Sequence, residues 1–183
     1  MKIIKSFFDG AFILSAEPLT DPRGGFTRLY CQKEFQAIGH NQAIVQINHS
    51  FTKSTGVIRG LHFQYPPKTE IKMVRCINGS VFDVIVDLRA GSPTFLQWHS
   101  QILTKEDDLM VYVPQGFAHG YQTLEDNSEL IYFHSDFYSH EHEGGIRFDD
   151  PQVNIEWPLE ITELSEKDRL RPHLITNYKG ITI

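Results

Sequence analysis

The sequence predicts an all-β protein built as a double-sheet jelly roll, with a few short peripheral helices. Strand-like runs recur about every ten residues, turn-forming residues separate them, and helical periodicity is scarce. The 13 Phe and seven Tyr residues suit pleated, half-buried surfaces better than helices. Many short, evenly spaced strands in one domain, here residues 1–183, are typical of a sandwich or barrel.

Ten strands are predicted in order along the chain, separated by Gly, Pro, Asn, Asp and Ser turn chemistry. They cover residues 12–18, 26–30, 43–49, 56–64, 71–77, 80–88, 95–103, 109–113, 118–124 and 129–136. The strongest local signal is Asn78-Gly79, which favours the two-residue turn of an antiparallel hairpin. In the second arm of this hairpin, apolar residues alternate with Asp83 and Asp87, which predicts one apolar and one charged face.

Two short helices are predicted outside the strands. The segment 31–39 ends at Gly39, a residue that favours the left-handed conformation after a helix. In the tail, Ser165 is a candidate N-cap and Asp168 would occupy the third helical position.

Composition and charge exclude several function classes. The formal net charge of −6 argues against a general nucleic-acid surface, which needs a basic excess. No apolar stretch approaches the length of a membrane span. Asp9 and Gly10 interrupt the apolar residues of the N-terminus, which argues against a signal peptide. Cys31 and Cys76 make no disulfide framework, so we expect reduced thiols and a cytoplasmic protein.

The stretch GVIRGLHFQ, residues 56–64, places two basic groups in the most strand-like segment of the chain. Residues three apart in a regular strand point to opposite faces, so Arg59 and His62 are out of phase. A bulge or kink at Gly60 would turn both side chains inward. We therefore predict an irregular strand here, with both residues lining a ligand pocket.

The stretch VPQGFAHG, residues 113–120, has the Pro-x-Gly-x-x-His spacing of the second motif of the cupins, a superfamily of small jelly-roll barrels. His119 stands at the motif position whose histidine binds the metal ion in metal-dependent cupins. The partner motif would offer His62 and Glu70, but Gln64 stands where the second histidine belongs, and a neutral amide is a poor transition-metal ligand. Three interpretations of His119 stay open: a metal ligand, a structural histidine, or a pocket residue used in acid–base chemistry or binding.

Seven segments together resemble the dTDP-4-dehydrorhamnose 3,5-epimerase family, a metal-independent branch of the cupins. They run in family order from about residue 20 to 170 and are DPRGGF, VQINHS, GVIRGLHFQ, IKMVRCINGSVFDVIVDLRAGSPTF, YVPQGFAHGYQTL, LIYFHSDFY and LSEKD. The resemblance implies a cofactor-free isomerase that inverts carbons 3 and 5 of a dTDP-4-keto-6-deoxyhexose for dTDP-rhamnose biosynthesis. A ketone at carbon 4 acidifies both C–H bonds, so a base, an acid on the far face and a charge for the enolate suffice.

The resemblance also implies the catalytic roles. His62 would be the base, with an ordinary pKa of about 6.5 that suits neutral pH, and Asp168 would orient it. Tyr132 would be the acid on the opposite face, and Lys72 and Arg59 would stabilise the enolate oxygen or position the sugar.

The substrate-binding residues are likewise implied by the resemblance. Arg23 and Arg59 would contact the diphosphate or the sugar, and Phe26 and Tyr138 would stack on thymine. The remaining binding positions are Gln46, Asn48, His119, Glu143 and Lys167. Arg23 and Phe26 would come from a strand exchanged within a homodimer. Arg28 stands where the family usually has Glu, which reverses a charge beside the nucleotide pocket.

Three alternatives remain at this stage. A related enzyme could invert carbon 3 alone, a metal-dependent cupin could use His62, His119 and Glu70, and a sugar-binding barrel could lack catalysis. Other related members shift the ketone instead of inverting a centre; retention of His62, Tyr132 and Asp168 favours epimerisation, since inversion needs an acid on the second face.

Overall fold

Two six-stranded β-sheets face each other and form the body of the protein, as the sequence predicts; the computed structural model describes residues 1–183. The first sheet has the order β1 (Lys2–Phe8), β2 (Ala11–Ser15), β10 (Leu109–Val113), β7 (Lys72–Asn78), β12 (Ser128–His134) and β5 (Gln46–Thr52). The second has the order β13 (Glu143–Gly145), β6 (Val57–Gln64), β11 (Phe117–Thr123), β8 (Ser80–Asp87) and β9 (Trp98–Thr104), and β14 (Glu163–Leu164) runs parallel to β6. Strands β3 (Leu19–Asp21) and β4 (Gly24–Phe26) form a separate small hairpin.

The space between the sheets is closed at one end by an apolar core. Both sheets contribute inward-facing side chains, which is what alternation along the strands requires. The buried members are Phe8, Ala11, Ile13, Val74, Cys76, Val81, Ile85, Leu103, Val111, Val113, Phe117, Tyr121 and Leu130. The polar cavity described below therefore opens in a rigid, packed barrel.

The outer faces of both sheets are also partly covered. Helix α1 (Gln32–Ala37) packs Phe35 against Met73 and Met110 on the outside of the first sheet. The C-terminal segment packs Ile146 and Ile181 on the outside of the second sheet. This covering explains why central strands such as β8 and β11 are buried on both faces.

The predicted hairpin at Asn78-Gly79 is wrong. Strand β7 pairs with β10 and β12, whereas β8 pairs with β11 and β9, so the turn carries the chain from one sheet to the other. Only Gly79 has a positive φ, of 71°, while the hairpin turn needs positive φ at both central residues. The charged face of β8 is not on the surface either, because Asp83 and Asp87 are both buried.

Other strand predictions differ mainly in the N-terminal region. Residues 26–30 do not form a strand, since β4 ends at Phe26 and the chain then enters α1 without regular structure. Strand β1 was not predicted: it is an edge strand whose residues are mostly exposed, so it lacks the alternation on which the prediction relied. Strands β13 and β14 are only three and two residues long, too short for a periodic signal.

Both predicted helices are confirmed. Gly39 follows α1 with a φ of 92°. Helix α2 (Glu166–Arg169) begins after Ser165, whose side chain accepts a hydrogen bond from the Asp168 backbone N–H at 3.0 Å. Neither helix has the length and apolar character that crossing a lipid bilayer requires.

Candidate active site

The predicted irregularity at Gly60 is confirmed. His62 lies opposite His119 on β11, and Arg59 lies opposite Tyr121, so two residues of β6 face one residue of β11 between these pairs. Because of this extra residue, the side chains of Arg59 and His62 point to the same side of the sheet.

Glycine is required at the irregularity for two reasons. Gly60 has a φ of 121°, a conformation that other residues rarely adopt. A Cβ atom added to it would lie 2.6 Å from the Gly120 Cα atom of β11. The two glycines therefore allow the backbones of β6 and β11 to approach closely where the strand bends.

A cavity of about 970 Å³ opens between the two sheets at the polar end of the barrel. Most of the residues predicted to do chemistry line it: Arg59, His62, Lys72, His119, Tyr132 and Asp168. Its volume is in the range of pockets for small ligands. The structure thus brings these six residues and the predicted binding residue Asn48 to one place, from six segments of the chain.

His62 and Asp168 form a close pair in this cavity. The His62 Nε2 atom lies 2.6 Å from the Asp168 Oδ1 atom, and the Asp168 side chain is buried while His62 remains half-exposed to the cavity. Burial acts to raise the pKa of Asp168, but the hydrogen bond and charge of His62, together with hydrogen bonds from Ser165 and Gly60, outweigh it and leave the pKa below its ordinary value. The carboxylate is therefore ionised at neutral pH and orients the imidazole.

His119 has its own carboxylate partner beneath the cavity floor. Its Nε2 atom lies 2.7 Å from Asp83 Oδ2, and both side chains are buried. Burial raises the pKa of Asp83, against the opposing influence of His119. His119 is thus fixed by Asp83, as a pocket-lining residue within a buried pair.

Tyr132 lies on the opposite sheet from His62 and lines the same cavity. Its ring meets His119 edge-on at 6.0 Å and lies parallel to His134 at 6.1 Å between ring centroids. Desolvation raises the pKa of Tyr132 well above its usual 10.0, and the neighbouring Tyr121 adds to this rise. The phenol consequently keeps its proton across the range in which enzymes normally work.

Lys72 is part of a buried charged cluster in the cavity wall. Its ammonium lies 3.1 Å from Glu70 Oε1, and the other Glu70 oxygen lies 2.7 Å from His134 Nδ1. Arg59 is more exposed and is held by Thr52 Oγ1 at 3.0 Å and by the Phe51 carbonyl at 3.2 Å.

A second cavity of about 450 Å³ adjoins the first and shares Asn48, His62, Lys72 and His134 with it. Gln46, Tyr138 and Glu143 lie in the part that is not shared. The Tyr138 hydroxyl donates to Glu143 at 2.8 Å, and the Tyr138 backbone N–H donates to Gln46 Oε1 at 3.1 Å. Glu143 also pairs with Lys167, which lies outside the lining of both cavities.

Besides Lys167, three predicted binding residues do not reach either cavity of their own chain. Arg23 is 90% exposed and binds Asp21 at 2.6 Å, and Phe26 is 63% exposed in the same hairpin. Arg28 forms an ion pair with Glu34 at 2.7 Å. Consequently Phe26 and Tyr138 do not sandwich a common ligand within one chain, because the β3–β4 hairpin belongs to neither large sheet.

The alternative metal set does not assemble. His62 faces Asp168, His119 faces Asp83, and Glu70 faces Lys72 and His134. No three His, Cys, Asp or Glu side chains come close enough to share a metal ion.

Sequence reasoning missed several residues of the site. Asp83 was placed on a charged face of β8, and its position two residues from Val81 and Ile85 could have indicated an inward-facing carboxylate. Glu70 was weighed only as a metal ligand, and His134 had no signal apart from its place two residues after Tyr132. Arg171, which binds Glu143 at 3.0 Å, lies beyond the segments that carry the resemblance.

A half-exposed imidazole oriented by a buried carboxylate faces a protonated phenol across one polar cavity of a jelly roll. Such a site defines an acid–base enzyme for a small polar substrate.

The chain belongs to the dTDP-4-dehydrorhamnose 3,5-epimerase family, which matches residues 5–175. It is 44% identical over 170 residues to the dTDP-4-dehydrorhamnose 3,5-epimerase of Shigella flexneri, covering 92% of this chain and 93% of the relative. The crystal structure of the Bacillus anthracis enzyme, with TDP and PPi bound, matches with a TM-score of 0.92 at 40% identity, over 94% of this chain and 99% of that one. That of the Legionella pneumophila epimerase, in complex with dTDP-4-keto-L-rhamnose, matches with a TM-score of 0.87 at 39% identity, over 92% and 89% of the two chains. The resemblance seen in the sequence and the predicted jelly roll are both confirmed.

Proposed function

We propose that the protein is a dTDP-4-dehydrorhamnose 3,5-epimerase, which converts dTDP-4-dehydro-6-deoxy-D-glucose into dTDP-4-dehydro-L-rhamnose. The observation that carries this proposal is the position of His62 and Tyr132 on opposite sheets around one cavity. Inversion of a carbon centre needs removal of a proton from one face and delivery from the other. The names and ligands of the similar structures from B. anthracis and L. pneumophila support the choice of substrate.

His62 is the base in this mechanism. The ketone at carbon 4 acidifies the C–H bonds at carbons 3 and 5, and neutral His62 removes one of these protons to leave an enolate. Asp168, ionised and 2.6 Å away, orients the ring and stabilises the imidazolium that forms.

Tyr132 is the acid on the other side. Its raised pKa keeps the phenol protonated at neutral pH, so it is ready to donate when the enolate collapses. Transfer of the Tyr132 proton to the face opposite His62 inverts the centre. The Lys72 ammonium and the Arg59 guanidinium, which line the same cavity, stabilise the negative oxygen of the enolate between the two steps.

The nucleotide occupies the neighbouring cavity in this proposal. Gln46 and Asn48 offer amide groups for the nucleoside, and the Tyr138 ring offers a face for thymine. Glu143 lines this cavity and is held by Lys167 behind it. His119, held by Asp83, contacts the sugar from the floor.

We further propose a homodimer with an exchanged N-terminal hairpin. Arg23 and Phe26 project into solvent from the β3–β4 hairpin, which pairs with neither large sheet of its own chain. In the partner's cavity Arg23 would bind the diphosphate and Phe26 would cover the base opposite Tyr138. Arg28 would lie close to the same subunit boundary. The free thiols of Cys31 and Cys76 fit a reducing cytoplasm.

Incubation of the protein with the 4-keto sugar nucleotide in deuterium oxide tests the function. We expect deuterium at carbons 3 and 5 and a product with the L-rhamno configuration, both followed by NMR. Label and inversion at carbon 3 alone would instead indicate a 3-epimerase. Absence of any label, despite binding of the substrate, would contradict an epimerase.

A further inference from the structure

Glu70 is a buried charged residue that the reaction described above does not use. Its side chain is 7% exposed, and its two carboxylate oxygens are both occupied. One lies 3.1 Å from the Lys72 ammonium and the other 2.7 Å from the His134 imidazole. Burial acts to raise the pKa of Glu70, but His134 and Lys72 outweigh it and leave the pKa below its ordinary value.

The hydrogen bonds around His134 have a consistent direction. Its Nε2 atom lies 3.2 Å from Asn48 Nδ2, an amide nitrogen that can only donate, so Nε2 accepts. The proton of the neutral ring is then on Nδ1, which donates to Glu70. Asn48 Oδ1 in turn accepts from Gln46 Nε2 at 3.2 Å. A single chain of hydrogen bonds thus runs from the nucleotide cavity to Glu70, where the Lys72 ammonium meets it.

The same chain passes beside the proposed acid. The His134 ring lies parallel to the Tyr132 ring, with an interplanar angle of 23°. Lys72 and Tyr132 also flank the same cavity, so the Glu70–His134 pair contacts both groups that act on the enolate.

We propose that Glu70 is a positioning residue for the epimerisation: it keeps the Lys72 ammonium aimed into the cavity, while His134 holds Glu70 in place. This inference rests on the proposed function. Without this carboxylate partner, the long Lys72 side chain would be free to rotate away from the cavity. Removing the Glu70 charge would therefore weaken stabilisation of the enolate, which exists only after proton removal, and leave binding of the ground state largely unchanged.

The variant Glu70→Gln tests this, because it keeps the shape of the side chain and removes the charge. We expect kcat to fall about tenfold or more while KM changes less than about threefold. A fall in kcat at nearly constant KM is a result that a purely structural role would not produce. An unchanged kcat would overturn the proposal.

Glu129→Gln is a matched control. Glu129 also binds a histidine, His49, at 2.7 Å, and it lies on β12 as His134 does, but on the exposed side. The same chemical change there should leave kcat and KM as they are in the wild-type protein. An equal loss in this variant would show that any broken carboxylate–imidazole pair lowers activity, and would overturn a specific role for Glu70.

A double-mutant cycle shows whether Glu70 acts through Lys72. In a Lys72→Met background, Glu70→Gln should change kcat less than about twofold, because the group that it positions is gone. This double variant leaves no unpaired buried charge at the pair, so it remains a test where Glu70→Gln alone folds poorly. Independent, multiplicative losses would overturn the proposal. If wild-type protein labels the substrate normally and Glu70→Gln equals it, only this inference fails; if wild-type protein gives no label, the proposed function fails.

Discussion

His62 and Asp168 are separated by 106 positions in the chain, yet their Nε2 and Oδ1 atoms lie 2.6 Å apart. The contact depends on the short strand β14, which pairs in parallel with the start of β6 and brings the beginning of α2 beside Gly60. Ser165 caps this helix and fixes the direction in which Asp168 points. Pairing of β14 with β6, the strand that carries His62, therefore places the Asp168 carboxylate beside the imidazole.

Replacing the carboxylate of this pair tests its chemical role. Asp168→Asn keeps the size of the side chain but removes the charge that stabilises the imidazolium. We expect deuterium exchange into the substrate to slow by about 10² to 10⁴-fold. Glu166→Gln, in the exposed first turn of the same helix, is the control and should retain full exchange. Near-normal turnover in Asp168→Asn would show that another group orients the base.

The stability difference between the wild type and Asp168→Asn should depend on pH. The folded-state pKa of Asp168 lies below its ordinary value of 3.8, so the ionised carboxylate adds stability above that pH and loses it as the pH falls further. We expect the free energy of unfolding of the wild type to exceed that of Asp168→Asn at neutral pH, and the gap to shrink below pH 3.8. Urea unfolding at a series of pH values measures it. A constant gap would contradict this linkage.

Tyr132→Phe separates proton removal from inversion. The variant keeps the ring against His119 and His134 but cannot donate a proton. We expect label to enter from the His62 side while inversion at carbon 5 is lost. Tyr112→Phe removes another buried hydroxyl, bonded to His40 at 2.9 Å on the outer side of the first sheet. This control should cost about 1 kcal/mol of stability and leave the product unchanged; full inversion by Tyr132→Phe would assign the acid elsewhere.

Gly60→Ala tests the bend in β6. A Cβ atom there would meet the Gly120 Cα atom at 2.6 Å, in addition to the cost of a φ of 121°. Gly91→Ala also has a positive φ, 76°, but its Cβ would meet nothing within 4 Å, so it should cost only about 1–2 kcal/mol. We expect Gly60→Ala to lose more unfolding free energy than this control and to lose activity with it. Equal costs in the two variants would mean that the close approach is relieved without strain.

Subunit complementation tests the exchanged hairpin. Arg23→Ala and His62→Ala subunits should each be nearly inactive as homodimers. In a mixed dimer with exchange, one cavity carries both defects and the other carries none, so up to half of the wild-type activity should return. Without exchange each cavity keeps one defect. Activity of co-expressed, tandem-tagged mixed dimers decides between the two arrangements, and no recovery would count against exchange.

Much of this site was visible in the residues themselves. Arg59 and His62 would point to opposite faces of a regular strand, so the sequence predicted an irregularity at Gly60, and the structure contains it. Ser165 and Asp168 carried a helix start that needs only neighbouring residues to form. By contrast, Glu70 lies two residues before β7 and pairs with His134, the last residue of β12, and no local pattern records a contact over this separation.

The sequence alone determined the alternation of its strands, the turns between them, the helix caps, the chemical groups available and the family they resemble. These depend on interactions over a few residues or on the identity of side chains. Only the tertiary structure decided that β7 and β8 part into different sheets, that Asp83 is buried against His119, and that the β3–β4 hairpin stands away from its own cavity. The physical reason is that a strand can satisfy its backbone hydrogen bonds with any compatible neighbour, so the choice of partner rests on how the whole chain packs.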